Sequence, residues 1–104
     1  NREVSSDILD ESDSALAFRD INPQAPIHIL VVPKKHISST VDIDSENGHD
    51  FLGMVMLAKK IAKDENILSD GYRWVINTGK YGGQTVDHIH LHLLSGRLMS
   101  WPPG

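Results

Sequence analysis

The 104-residue chain contains no cysteine. That removes disulfides, thiolate zinc sites and a cysteine nucleophile together, so any nucleophile here is nitrogen or oxygen. Basic charge is also short, with 10 Lys and Arg against 14 Asp and Glu and a formal net charge of -4. A groove for nucleic acid needs clustered Lys and Arg to neutralise phosphates, and the one cluster, Lys34-Lys35-His36, reads as a solvated turn. No nucleic-acid partner is expected. No apolar run approaches the roughly 20 residues that cross a bilayer, and no leader pattern opens the chain, so no membrane partner is expected either. A soluble cytoplasmic protein is the expectation, with the nucleus added if the source is eukaryotic. The chain begins Asn1-Arg2-Glu3-Val4 without an initiator Met, as a truncated N-terminus would. Internal repeats, low-complexity tracts and linkers are lacking too, and the length suits one modest core, which predicts a single domain over residues 1–104.

What is present alternates between two periodicities. Ile8-Leu9 and Ala15-Leu16-Ala17-Phe18 flank the turn-forming Asp10-Glu11-Ser12-Asp13-Ser14, a hairpin signal. Two prolines in Asp20-Ile21-Asn22-Pro23-Gln24-Ala25-Pro26 forbid regular pairing, after which Ile27 to Val32 reads as a buried strand ended by Pro33. From about Ser45 to Ile67 the apolar period lengthens: Phe51, Met54, Val55, Ala58, Ile61 and Ala62 share one helical face. Tyr72 to Asn77 is aromatic and β-branched, hence a strand, and the turn-rich Thr78-Gly79-Lys80-Tyr81-Gly82-Gly83 joins it to Asp87–Leu94. With no crossover helix between them, those two strands should pair antiparallel.

Half of the six histidines lie in His88-Ile89-His90-Leu91-His92-Leu93-Leu94. On a strand, alternate side chains share a face about 6.6 Å apart, so the three imidazoles could meet one small anion while Ile89, Leu91 and Leu93 anchor in the core. A merely solvated strand face would be served as well by Thr, Lys or Ser. Two chemical readings stay open on spacing: a three-histidine metal site with a free position, or phosphate chemistry with one imidazole attacking phosphorus and its neighbours orienting it or contacting the oxygens. Gly79, Gly82 and Gly83, followed by Gln84 and Thr85, could aim backbone N–H groups at an anion and so lean toward phosphate. No Gly-Lys-Ser/Thr follows, which excludes a P-loop.

His88-Ile89-His90-Leu91-His92-Leu93-Leu94 resembles the His-φ-His-φ-His-φ-φ signature of the histidine triad (HIT) superfamily. The stretches Phe18–His28 and Val32–Ser38, together with Gly82-Gly83-Gln84-Thr85 and Trp101-Pro102-Pro103-Gly104, are similar to its nucleotide-binding (Hint) branch. The resemblance covers about nine-tenths of the chain and implies an α+β fold: a five-stranded antiparallel sheet with one long helix, paired as a homodimer into a ten-stranded sheet. It also implies hydrolysis of purine nucleoside phosphoramidates, such as adenosine 5'-phosphoramidate and aminoacyl- or lysyl-AMP-like conjugates, to the nucleoside monophosphate. No cofactor or metal is implied.

By the same resemblance, His90 is the nucleophile that forms a nucleotidyl intermediate, His92 contacts the phosphate, and His88 and His28 orient the site. Asn77 and Thr85 match positions that hydrogen-bond the phosphate or leaving group. Asp20 matches a ribose-binding carboxylate, and Phe18, Ile21 and Leu30 match the nucleobase slot. Gly83, Gln84 and Trp101 complete the implied substrate-binding set. His36 and His49 are expected as ordinary surface histidines. Three departures from the family pattern stand out: Thr85 where Ser is common, Asp87 where an aromatic is common, and a curtailed strand before Ile8 that could leave the base pocket incomplete. The competing function is a purine nucleotide-binding regulatory or interaction protein with incidental hydrolysis. A diadenosine polyphosphate hydrolase fits less well, because Gln24-Ala25-Pro26 and the Trp-Pro-Pro-Gly tail resemble the Hint branch.

Overall fold

The computed structural model describes residues 7–104, so the expectations about Asn1-Arg2-Glu3-Val4 and a strand before Ile8 lie outside the described residues. Five strands form one antiparallel sheet: β1 (Ile8–Glu11), β2 (Ala15–Arg19), β3 (Ile27–Pro33), β4 (Arg73–Val75) and β5 (Leu91–Ser95), in the spatial order β1-β2-β3-β5-β4. One long helix, α1 (Gly48–Asp64), packs on one face, against β2, β3 and β5. The β1–β2 hairpin, β3, and the antiparallel pairing of β4 with β5 follow the apolar pattern.

Alternation along each strand sorts the residues between the two faces. Ala15, Ala17, Ile29, Val31, Leu91 and Leu93 are fully buried and meet Met54, Leu57, Ala58, Ile61 and Ala62 of α1 in a single core. Two alanines on β2 let the helix come close, and Gly53 permits it too, because a Cβ there would collide with Ser14 Oγ. The opposite face carries Phe18, Leu30 and His92 side by side across β2, β3 and β5, since Phe18 pairs with Leu30 and Leu30 with His92. These three are half-buried.

Several boundaries differ from expectation. Helix α1 starts at Gly48 rather than Ser45, because Asp44 and Asn47 close a reciprocal turn first: Asp44 Oδ1 accepts the N–H groups of Glu46 and Asn47, and Asn47 Oδ1 accepts that of Asp44. It ends at Asp64, where Asn66 takes a left-handed conformation (φ 61°) and Ile67 N–H donates to Ala62 O, a turn that satisfies the last carbonyls. Strand β4 is three residues long instead of Tyr72–Asn77. Most consequential, the strand expected over Asp87–Leu94 is formed only at Leu91–Ser95, so His88 and His90 precede it. Pro33 ends β3 and has no N–H with which to carry the ladder on. The incoming chain bonds past it instead, Ile89 N–H donating to Ile37 O at 2.6 Å.

Candidate active site

Three hydrogen-bonded arrays of histidine can be read without ambiguity of tautomer, because each contains a group able only to donate or only to accept. The first begins at the backbone of Gln24, whose N–H donates to His28 Nδ1 at 3.0 Å. His28 therefore carries its proton on Nε2, which lies 2.9 Å from His92 Nδ1 and 3.4 Å from Asp20 Oδ2. His92 Nδ1 accepts, so its proton sits on Nε2 and is left to donate outward.

Burial, reinforced by the neighbouring His90 and His28 and partly offset by Asp20, pushes the His92 imidazole down to about 4. Burial likewise lowers His28, against the opposing pull of Asp20. Both rings are thus neutral near pH 7, which the donor–acceptor chain requires.

The second array is one bond long. His90 Nδ1 lies 2.8 Å from the His88 carbonyl oxygen. A carbonyl only accepts, so the proton is on Nδ1 and the Nε2 lone pair is free. The rings of His90 and His92 meet edge to face with centroids 5.0 Å apart. A lone pair and an N–H donor are therefore adjacent on the open side of the sheet.

The third array departs from expectation. His88 does not face an anion alongside His90 and His92. Its Nε2 donates to Pro33 O at 2.9 Å, and its Nδ1 is 3.1 Å from Nδ1 of His36, whose Nε2 is 3.2 Å from Ser38 Oγ. His36, expected as an ordinary surface histidine, is exposed but bonded at both nitrogens. His49 does lie at the surface, its ring 3.5 Å from Asp50 Oδ2.

Around these rings the other expected residues are distributed unevenly. Phe18 and Leu30 adjoin His92 on the open face. Ile21 is 86% exposed and Trp101 81%, so neither is enclosed by the described residues. Asp20 binds His28 through Oδ2 and the Asn22 N–H through Oδ1 (2.8 Å). The β4–β5 register, which pairs Val75 with His92, would set Asn77 opposite His90 if continued by two residues. Thr85 and Gly83 are exposed, and Gly83 uses a φ of 79° that favours glycine. The Gln84 side chain is fully engaged: Oε1 accepts Gly79 N–H, while Nε2 donates to Ser38 O and Val86 O. It pins the glycine turn against the segment after β3. Its backbone N–H is engaged as well, donating to Gly79 O at 3.0 Å, so any substrate contact by Gln84 would fall to its carbonyl.

Asp20, His28 and His92 each offer one donor atom, all within 4.8 Å of one another, a two-imidazole, one-carboxylate set of the type that holds zinc. The same atoms form the first hydrogen-bonded array, however. A cation there would have to replace the His28 Nε2 proton, so ion and proton chain are alternatives.

A family model for the HIT domain matches residues 1–99. The chain belongs to the HIT domain family. It is 49% identical over 96 residues to a purine nucleoside phosphoramidase of Escherichia coli, covering 92% of this chain and 81% of that protein. It is 48% identical to a 14 kDa zinc-binding protein of Zea mays, covering 99% and 81%. The crystal structure of a HIT family hydrolase from Legionella pneumophila superposes with a TM-score of 0.89 at 48% identity, covering 93% of this chain and 87% of that one. As a HIT family hydrolase, the protein carries its signature histidines on the turn into β5 and on β5 itself.

Proposed function

We propose that this HIT protein hydrolyses the P–N bond of purine nucleoside phosphoramidates through a nucleotidyl-His90 intermediate. The observation that carries the reading is the His90 tautomer, with Nδ1–H held by the His88 carbonyl and Nε2 bare beside the outward N–H of His92. His90 Nε2 attacks phosphorus, an N–P bond forms, and the P–N bond to the amine breaks as the leaving nitrogen takes up a proton. Water then attacks phosphorus, expelling neutral His90 and releasing the nucleoside monophosphate and one proton. The His88 carbonyl stabilises the positive character that attack places on the His90 ring, and the His92 N–H faces the charge on the phosphate oxygens.

A purine fits the apolar surface of Phe18 and Leu30, and ribose hydroxyls fit Asp20, with Asn77, Gly83 and Thr85 near the leaving group. The E. coli relative is named for this activity. The reading needs no metal. Turnover of a fluorogenic adenosine phosphoramidate, unchanged by EDTA, tests it; AMP binding without turnover would favour the nucleotide-binding regulatory alternative. Activity lost in EDTA and restored by zinc would favour a metal at Asp20, His28 and His92, the one cluster whose donor atoms converge among the described residues.

The same reading includes a homodimer that extends the sheet to ten strands. Strand β4 is an edge with unpaired backbone groups, and Leu52 and Met56 stand exposed on α1 at 57% and 52%. Leu57 of the same helix belongs to the core, at 3%. A cavity of about 640 Å³ bounded by Asp70–Arg73 and Ser95–Met99 opens at the far end of β5 from His90, beside the exposed tail. A second copy would cover this edge and give Trp101 a surface to pack on. Sedimentation showing a stable folded monomer at micromolar concentration would contradict the dimer.

A further inference from the structure

The segment carrying the nucleophile is outside the β-ladder and must be held by something else. Residues 84–89 are fastened to residues 33–38 by four bonds: Gln84 Nε2 to Ser38 O, Ile89 N to Ile37 O, His88 Nε2 to Pro33 O, and His88 Nδ1 to His36 Nδ1. The last two grip one imidazole from both sides. Since Pro33 O only accepts, His88 carries its proton on Nε2 and accepts at Nδ1, so His36 donates from Nδ1 and accepts the Ser38 hydroxyl at Nε2. The chain runs from Ser38 through His36 and His88 to a backbone carbonyl and stops there. With a dead end at Pro33 it cannot deliver a proton to the site. What it fixes is the ring, and with it the backbone, of the residue whose own carbonyl binds His90 Nδ1–H.

We propose that His36 is a positioning residue: by donating to His88 Nδ1 it aligns the His88 carbonyl that holds His90 in its attacking tautomer. This rests on the nucleophile assigned to His90 above. A change in alignment of under 1 Å is enough to lower a rate by one to two orders of magnitude (about 10- to 100-fold) without altering ground-state binding. Asn places an amide where imidazole has Nδ1, whereas Gln places it where imidazole has Nε2, so the two substitutions separate the donor that matters from the one that does not.

The test compares His36→Ala, His36→Asn and His36→Gln by steady-state kinetics on adenosine 5'-phosphoramidate, together with the ¹⁵N–¹H NMR signal of His90 Nδ1–H. The expected result is a kcat about tenfold lower for Ala and Gln at unchanged KM, at least half of wild-type kcat for Asn, and a His90 Nδ1–H signal that broadens in Ala and Gln but not in Asn. Because His36 is exposed, the thermal midpoint should stay near wild type; if Ala destabilises the fold, the Asn–Gln comparison decides alone. Equal kcat in all three variants, or an unaltered His90 signal in both His36→Ala and His36→Gln, overturns the positioning role. Should the wild type fail to turn over the phosphoramidate, the proposed reaction falls, while the NMR comparison still decides whether His36 holds His90.

Discussion

Two histidine pairs sit at opposite sides of His90 with the same ring separation, 5.1 Å between centroids in each. Their endings differ. The His28–His92 pair starts at a backbone N–H and finishes at an N–H left free on His92; the His36–His88 pair starts at a hydroxyl and finishes at a carbonyl. The first pair leaves a donor on the open face, and the second closes on the protein's own backbone. Burial follows the same division, with His28 buried and His36 exposed. Identical side chains thus take unlike roles according to which single-function group terminates the hydrogen-bonded chain.

The largest expected effect falls on the residue between the pairs. His90→Ala should lower single-turnover hydrolysis by at least about three orders of magnitude, roughly 4 kcal/mol of barrier, with AMP affinity nearly intact because Phe18, Leu30 and Asp20 are untouched. More than about a tenth of wild-type turnover in that variant would remove His90 from the nucleophile's place. His92→Ala takes away a phosphate donor and not the attacking atom, so a loss of about one to two orders of magnitude is expected by the same kinetics. If His92→Ala proved the more damaging of the two, His92 rather than His90 would have to hold the attacking atom.

A smaller effect falls on the His28–His92 pair and is read by pH. His92 is depressed to about 4 and His28 is lowered as well, while an unfolded histidine titrates near 6.5. Between these values the unfolded chain binds more protons than the folded one, so stability is fully present above about pH 6.5 and is lost as pH falls toward 4. Thermal midpoints measured from pH 7 to pH 4 should therefore decline, and the decline should flatten in His92→Asn. An equally steep decline in that variant would place its origin elsewhere. Smallest of all, His49→Ala should leave activity and stability within error of wild type, since the ring is at the surface beside Asp50.

How far the sequence could be read follows the same physics. Local pattern located β3, the hairpin and α1: an apolar run ended by Pro33, two apolar runs around a polar turn, and Met54, Ala58 and Ile61 recurring at the helical period. The alternation through His88, His90 and His92 looked equally strand-like, yet a ladder also needs donors, and Pro33, which the β3–β5 register would set opposite Ile89, has no N–H. The grip of His36 on His88 joins positions 52 residues apart, which no periodicity encodes. A histidine three residues beyond a strand-ending proline was the only available signal. The role of Gln84 was similarly hidden, since the residue type suits a ligand contact as well as the turn it actually clasps.

The central claim is that His90 Nε2 attacks phosphorus, and trapping the intermediate tests it most directly. Rapid acid or cold quench of the enzyme with an adenosine phosphoramidate, followed by peptide mapping by mass spectrometry, should place a single adenylyl group on His90, absent in His90→Ala. An adduct on His88 or His92, or its complete absence during active turnover, would contradict the account.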